Sequence, residues 1–172
     1  MRGRRPLNKK TNWIVDQALK APSCSSTPCS WNNKKYAFSF LATGPDTDNA
    51  FSLIHCFFRK GFTPPPHFHQ YEDESFYILE GVIDFQAGDK KITAGPGQFI
   101  VLPKGTPHRL VTDTAKALLL ITPAGFELVF REFGIPALTL DPPPLPDNLP
   151  GEMFQKIHRR CEEPGNVWMP EV

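Results

Sequence analysis

The stretch GFTPPPHFHQYEDESFYILEG, residues 61–81, decides the fold and indicates the chemistry. It places two imidazoles, His67 and His69, and one carboxylate, Glu74, close together in the chain. Side chains two residues apart on an extended strand point to the same face, so both histidines face one way. Glu74 returns on the next strand after a short turn. Imidazole nitrogens with a carboxylate suit Fe, Mn, Ni, Cu or Zn, and this set leaves coordination positions open for a substrate or dioxygen.

Short runs with the period of a β-strand lie on both sides of this stretch. Tyr36, Phe38 and Phe40 alternate with smaller residues, and the run at 51–60 is apolar on both of its faces. Further runs lie at 76–87, 92–94, 99–102, 108–112 and 117–122, with Gly, Pro and Asp turns between them. Residues 31–122 therefore predict eight or nine strands of an all-β sandwich or barrel, without βαβ alternation.

The pattern changes after residue 124. Phe126, Val129, Phe130 and Phe133 have helical spacing before Gly134 and predict a short helix. A proline-rich extended segment, a second short helix at about 151–162 and an irregular tail are expected to follow. The predicted organisation is an N-terminal arm and loop at 1–30, a β-barrel at 31–124, and C-terminal helices with a proline-rich extension packed on the barrel at 125–172.

Composition fits a single domain and excludes some partners. The chain has 172 residues, with 19 Lys+Arg against 18 Asp+Glu, so its net charge of +1 gives no field that favours nucleic acid. No apolar window is long enough to span a bilayer, and the basic N-terminus lacks the apolar core of a signal peptide. A cytoplasmic protein is expected. The cysteines have no metal-binding spacing, and we expect Cys24 and Cys29 to be free thiols, with a small disulfide as the alternative.

Two spacing patterns match a known family. The first is complete, and the second has Thr112 where the family has Asn; the matching positions are Gly61, His67, His69, Glu74 and Gly81, then Gly97, Pro103, Gly105 and His108. These patterns resemble the two motifs of the cupin superfamily. The resemblance implies a double-stranded β-helix, or jelly-roll, barrel. It also implies four metal ligands, His67, His69, Glu74 and His108.

A narrower resemblance rests on other residues. The run TPPPHFH at 63–69 and the segment from Gly125 to Glu132 resemble small single-domain cupins of the quercetin 2,3-dioxygenase-like group. Asp73 and Glu72 adjoin Glu74, but Glu74 alone has the motif spacing. Glu72 stays open as a nearby acid or base, with a solvated turn residue as the alternative.

Strand parity predicts an apolar pocket above the metal. If Glu74 and His108 face inward, the residues two and four positions after each of them do too. The other strands supply candidates whose parity is open. The predicted pocket residues are Phe40, His55, Phe57, Phe76, Ile78, Leu110 and Thr112, with Phe38 as a further candidate. No inward Arg or Lys is evident, which argues against the sugar-epimerase branch of the fold.

The resemblance favours a metal-dependent oxygenase of secondary metabolism that acts on an aromatic, phenolic or polyketide-like small molecule with O2. Glu74 would then be the catalytic proton acceptor. Two alternatives stay open. One is isomerisation, cyclisation, dehydration or decarboxylation without oxygen, and the other is a non-enzymatic protein that binds a metal or ligand. We also expect a homodimer whose interface comes from the strands before Phe51.

Overall fold

The computed structural model describes residues 36–133 and three short flanking strands. The strands are β1 (Cys29–Trp31), β2 (Tyr36–Ala42), β3 (Ser52–Phe58), β4 (His67–His69), β5 (Asp73–Glu80), β6 (Ile83–Ala87), β7 (Lys90–Ala94), β8 (Phe99–Leu102), β9 (His108–Thr112), β10 (Ala115–Thr122), β11 (Ile135–Pro136) and β12 (Asn166–Trp168). One α-helix, α1 (Glu127–Phe133), lies in this part of the chain, with a 3-10 turn at Gly44–Asp46. No helix within it has the length and apolar character of a membrane span.

The strands form two antiparallel sheets. Over the described residues the larger sheet has the order β11-β1-β2-β3-β10-β5-β8, and the smaller has the order β12-β4-β9-β6-β7. Strands distant in sequence therefore lie side by side, as β3 and β5 do on either side of β10. This arrangement confirms the predicted all-β jelly-roll fold and its short helix after residue 124.

Alternating burial shows which faces line the core. In β10 the buried side chains are Ala115, Ala117, Leu119 and Ile121. In β3 they are Ser52, Ile54, Cys56 and Phe58, whereas His55 and Phe57 are half-buried on the opposite face. The apolar character of both β3 faces had left this parity open in the sequence. The structure places the Ile54 face inside.

Phenylalanine dominates the core between the sheets. Phe38, Phe58, Phe76 and Phe85 are essentially inaccessible to solvent. The Tyr36 ring stacks on Phe58 at a centroid distance of 5.1 Å. Each such burial contributes roughly 1.5–3 kcal/mol of transfer free energy. The Phe-rich composition therefore serves the core as well as the cavity described below.

Helix α1 is held against the sheets by a buried carboxylate. Glu127 is 1% exposed and accepts hydrogen bonds from the backbone N–H groups of Gly44 (2.8 Å) and Gly125 (2.6 Å). A carboxylate in the first turn also suits the positive end of a helix. These bonds join α1 to the turn after β2. As a result, the buried rings of Phe126 and Phe130 lie against the core.

The ends of the chain depart from the sequence prediction in two places. Strand β1 begins at Cys29, inside the segment expected to be a loop, and β12 lies within the tail expected to be irregular. Each of these strands has three residues and gains its hydrogen bonds from distant partners, so no local periodicity reveals it. The predicted helix at 151–162, the proline-rich stretch after Pro136 and the arm at 1–28 lie outside the described residues.

Two glycines in left-handed turns offer a matched test of the fold. Gly81 has φ +76° and Gly88 has φ +56°. A Cβ on Gly81 would collide with the Thr114 carbonyl and lie 2.8 Å from the Ala115 Cα, whereas a Cβ on Gly88 meets nothing within 4 Å. We expect Gly88→Ala to cost about 1 kcal/mol, from the left-handed backbone alone. Gly81→Ala should cost about 3 kcal/mol or more because backbone must also move. Equal costs in urea unfolding would contradict this account.

Candidate metal centre

Four buried side chains converge between the two sheets. His67 and His69 point inward from β4, and His108 lies on β9, directly opposite His67 in the strand register. Glu74 comes from β5 of the larger sheet. One ligand atom from each of the four lies within 4.8 Å of all the others. The structure thus brings together the three histidines and the carboxylate that the motifs single out.

The carboxylate faces two of the imidazoles directly. Glu74 Oε2 lies 3.2 Å from His108 Nε2 and 3.8 Å from His69 Nε2. The His67 and His108 rings have centroids 4.6 Å apart. All four residues are less than 9% exposed. These groups therefore interact where water screens them little.

Backbone carbonyls set the tautomer of two rings. His67 Nδ1 lies 2.8 Å from the Pro65 carbonyl oxygen, and His108 Nδ1 lies 2.8 Å from that of Thr106. A carbonyl oxygen can only accept, so each Nδ1 must carry the hydrogen. In a neutral ring the lone pair is then on Nε2, the nitrogen required for metal binding. The second hydrogen-bonding shell, which the sequence could not identify, is main chain for these two histidines.

The electrostatics favour neutral imidazoles beside an ionised carboxylate. Burial, followed by the charge interaction with His108, lowers the pKa of His67 to about 4. For Glu74, burial raises the pKa, but hydrogen bonds from His108 and His69 outweigh it and bring the pKa well below its ordinary range. Near neutral pH the cluster therefore has the protonation state in which imidazole and carboxylate act as ligands.

The donor set fits a divalent transition metal. In the neutral tautomer, His108 Nε2 and Glu74 Oε2 are both acceptors and face each other at 3.2 Å. Such a pair is favourable only with a cation between its members, either a proton or a metal ion. Donors about 2.0–2.2 Å from one ion lie no more than about 4.4 Å apart, so the cluster needs only a small contraction to bind it. Three nitrogens and one carboxylate suit Fe, Mn, Ni, Cu or Zn.

Turns from both motifs hold the ligand strands in place. The Gly105 N–H donates to the His69 carbonyl at 2.7 Å, and the Gly61 N–H donates to the Thr112 carbonyl at 2.8 Å. Thr112, which stands where the family has Asn, donates its hydroxyl to the Arg59 carbonyl at 3.3 Å. The departure from the motif therefore preserves a hydrogen bond to the turn after β3 and leaves the four-residue cluster intact.

The two acidic neighbours of Glu74 have other surroundings. The Asp73 carboxylate accepts from the Lys104 N–H at 2.8 Å and so fastens the turn before His108. Glu72 is 5% exposed rather than solvated, and burial raises its pKa. Neither residue belongs to the four-residue cluster. The motif spacing therefore selected the carboxylate that faces the histidines.

A small apolar cavity adjoins the cluster. Its volume is about 50 Å³, and both His67 and Glu74 reach its wall. The remaining lining residues are Tyr36, Phe58, Phe62, Pro64, Phe76, Leu110, Leu119, Phe126 and Phe130. Two of the seven residues predicted for a pocket, Phe76 and Leu110, are among them.

The other five predicted pocket residues lie elsewhere. Phe40 and Ile78 are buried in the core but do not line this cavity. His55 and Phe57 lie on the outer face of β3, because the parity of that strand is the opposite of the one they require. Thr112 is buried and bonded to the turn after β3. Phe38, the further candidate, also packs in the core and not on this wall.

Sequence analysis missed most of the cavity wall. Phe58 and Leu119 follow from strand parity once it is known, whereas Phe62 and Pro64 lie in the loop before β4. Tyr36 adds a polar group, since its hydroxyl lies 3.1 Å from the Cys56 thiol. Burial raises the pKa of Tyr36 well above its ordinary value and that of Cys56 to about 12, so both stay neutral. No motif marked this pair.

Comparisons with known proteins agree with this fold and donor set. Residues 55–122 match the family model described as the cupin domain. Over 98 residues the chain is 33% identical to quercetin 2,3-dioxygenase of Bacillus subtilis (strain 168). That match covers 56% of the chain but only 29% of the relative.

Solved structures support the fold alone. KdgF from a Halomonas species aligns with a TM-score of 0.52 at 19% identity, covering 58% of this chain and 91% of that one. Ectoine synthase from P. lautus aligns with a TM-score of 0.52 at 19% identity, covering 80% and 96% respectively.

The fold and the four-residue cluster define a jelly-roll domain with a candidate metal centre between its sheets. The chain belongs to the cupin superfamily, and residues 55–122 are its cupin domain.

Removing one imidazole should abolish metal binding. We expect the wild-type protein to retain about one transition-metal ion per chain after dialysis. His67→Ala and His108→Ala should each weaken affinity by at least about 100-fold, because the loss of a ligand exceeds the 10–100-fold effect of losing its supporting hydrogen bond. His55→Ala is the matched control, since His55 lies on the outer face of β3. Elemental analysis and titration calorimetry would measure these effects. Metal retained by His108→Ala, or lost from His55→Ala, would refute the assignment.

Proposed function

We propose that the protein is a metal-dependent oxygenase that acts on an aromatic, phenolic or polyketide-like small molecule. The observation that carries the proposal is a cluster of three histidines and one glutamate beside a cavity walled by aromatic rings. The similarity to a quercetin 2,3-dioxygenase over 98 residues supports the same class of reaction. That similarity covers less than a third of the relative, so activity and substrate are proposed here from the site.

His67, His69, Glu74 and His108 would hold the ion. A bound transition metal would supply Lewis-acid and redox chemistry at the end of the cavity. The three neutral imidazoles balance none of its charge, so the Glu74 carboxylate neutralises one unit. The aromatic wall excludes water and orients a planar substrate by packing against its faces.

Glu74 can act both as a ligand and as a proton acceptor, but not with the same geometry. While it faces His108 and His69, its low pKa makes it a weak base and a good ligand. To accept a proton from a substrate hydroxyl, Oε2 must turn away from those two rings. Its pKa then rises, since burial no longer has an opposing hydrogen bond. The proposed proton transfer therefore requires that the Glu74 side chain rotate.

The size of the cavity constrains how a substrate binds. A volume of about 50 Å³ is smaller than the roughly 150 Å³ of a cavity that holds benzene. An aromatic substrate therefore enters only when part of the wall moves. Phe62 and Pro64 come from the loop before β4, and Phe126 and Phe130 from the segment after β10, so these are the wall residues outside the paired strands.

Oxygen consumption separates the proposed reaction from its rivals. Protein loaded singly with Fe, Mn, Ni, Cu or Zn would be mixed with catechol, a flavonol and a polyketide-like enol in an oxygen electrode. We expect uptake with a redox-active metal and none with Zn, which has no redox chemistry. Glu74→Gln should lower the rate at least about 100-fold. Product formed equally well without O2, or with Zn, would support isomerase, cyclase or decarboxylase chemistry instead. Metal binding without turnover of any probe would support a binding protein.

We further propose that the protein is a homodimer whose interface includes the strands before Phe51. In that region β2 presents Leu41, an exposed apolar side chain. Light scattering should give twice the chain mass of 19.4 kDa, and Leu41→Lys should shift the population towards the monomer. Val82→Lys is the control because it changes an exposed apolar residue on the turn after β5. A wild-type monomer would contradict the proposal.

A further inference from the structure

The cavity has the size of a gas-binding site. Its volume of about 50 Å³ exceeds the roughly 10–15 Å³ that one water molecule needs, and it is about a third of that of a cavity that takes benzene. A molecule of two or three heavy atoms fits this space without movement of the wall. The proposed aromatic substrate does not. The space therefore calls for an occupant other than that substrate.

The chemistry of the wall disfavours water in the cavity. Nine of its eleven lining residues are apolar or aromatic, and the polar atoms of Tyr36, His67 and Glu74 are the exceptions. Each of these three has a partner elsewhere: the Tyr36 hydroxyl contacts the Cys56 thiol, His67 Nδ1 donates to a carbonyl, and Glu74 faces His108. A buried water needs two to four polar partners. An apolar molecule needs none, so it is the better occupant.

The position of the cavity gives it a use. His67 and Glu74 belong both to its wall and to the metal cluster, so a molecule inside it lies beside the ion. Phe76, Leu110 and Leu119 form part of the wall from three strands, β5, β9 and β10. These are paired strands, and they supply a wall that persists when the loop and helix side chains move.

We propose that this cavity is a binding site for a small apolar gas molecule, held against the metal centre. Its natural occupant would be dioxygen. Naming dioxygen rests on the proposed oxygenase function, whereas the capacity to bind an apolar gas rests on the size and lining of the cavity alone. The site would concentrate dioxygen next to the metal before a larger substrate displaces the aromatic wall.

Xenon is the probe, and Leu119 is the residue to change. Crystals of the zinc-loaded protein would be pressurised with xenon, and its anomalous scattering would locate it. We expect one xenon atom in the wild-type cavity, in contact with Leu119. Leu119→Phe should lower its occupancy at least about fivefold, because the larger ring fills the space. Leu120→Phe is the matched control, since Leu120 is half-buried on the opposite face of the same strand and should leave xenon in place.

The outcomes decide the gas site separately from the oxygenase. A wild-type cavity that holds ordered water and no xenon would overturn the site, as would equal occupancy in Leu119→Phe. If Leu119→Phe does not fold, Leu119→Ala replaces it. The enlarged cavity should bind benzene, so saturating benzene should raise the melting temperature of the variant but not of the wild type, and no such rise would overturn the site. Xenon binding without oxygen consumption by any metal form would sustain the gas site and remove only the oxygenase.

Discussion

The contact between Glu74 and His108 is the interaction on which the rest of this structure depends. It joins β5 of the larger sheet to β9 of the smaller sheet through two buried polar groups at 3.2 Å. The Thr106 carbonyl fixes the hydrogen of His108 on Nδ1, so Nε2 offers a lone pair to a carboxylate that also only accepts. Burying such a pair is costly unless a cation lies between its members. The sheets thus meet around a site that a metal ion would stabilise, and metal binding should stabilise the fold in turn.

Much of this arrangement could be predicted from local sequence. The alternation in β2, β3 and β10 gives the strands, the glycines and prolines give the turns, and the spacing of His67, His69, Glu74 and His108 gives the candidate centre. These features have in common that each depends on neighbours a few residues away. The helix after β10 was likewise predicted from the spacing of its phenylalanines.

The features that could not be predicted depend on distant pairing. A strand that is apolar on both faces, such as β3, does not reveal which face is inside, and so His55 and Phe57 were expected in the cavity while Phe58 lines it. Strands β1 and β12 have three residues each and exist only through their partners. The position of Tyr36 above the cluster likewise follows from the order of strands in the larger sheet. Burial of Glu72, in contrast to a solvated turn, is a tertiary effect of the same kind.

A metal centre between the sheets and a dry aromatic cavity beside it are two consequences of one packing arrangement. The inward faces of β3, β5 and β10 supply phenylalanines and leucines, and the same parity on β5 brings Glu74 inside. The most direct test of the central claim is a crystal structure of the protein loaded with one transition metal, with its anomalous signal recorded at the metal edge. The account predicts a single peak about 2.0–2.2 Å from His67, His69 and His108 nitrogens and a Glu74 oxygen, with the Glu74–His108 contact bridged by the ion. A metal bound elsewhere, with that contact unchanged, would contradict it.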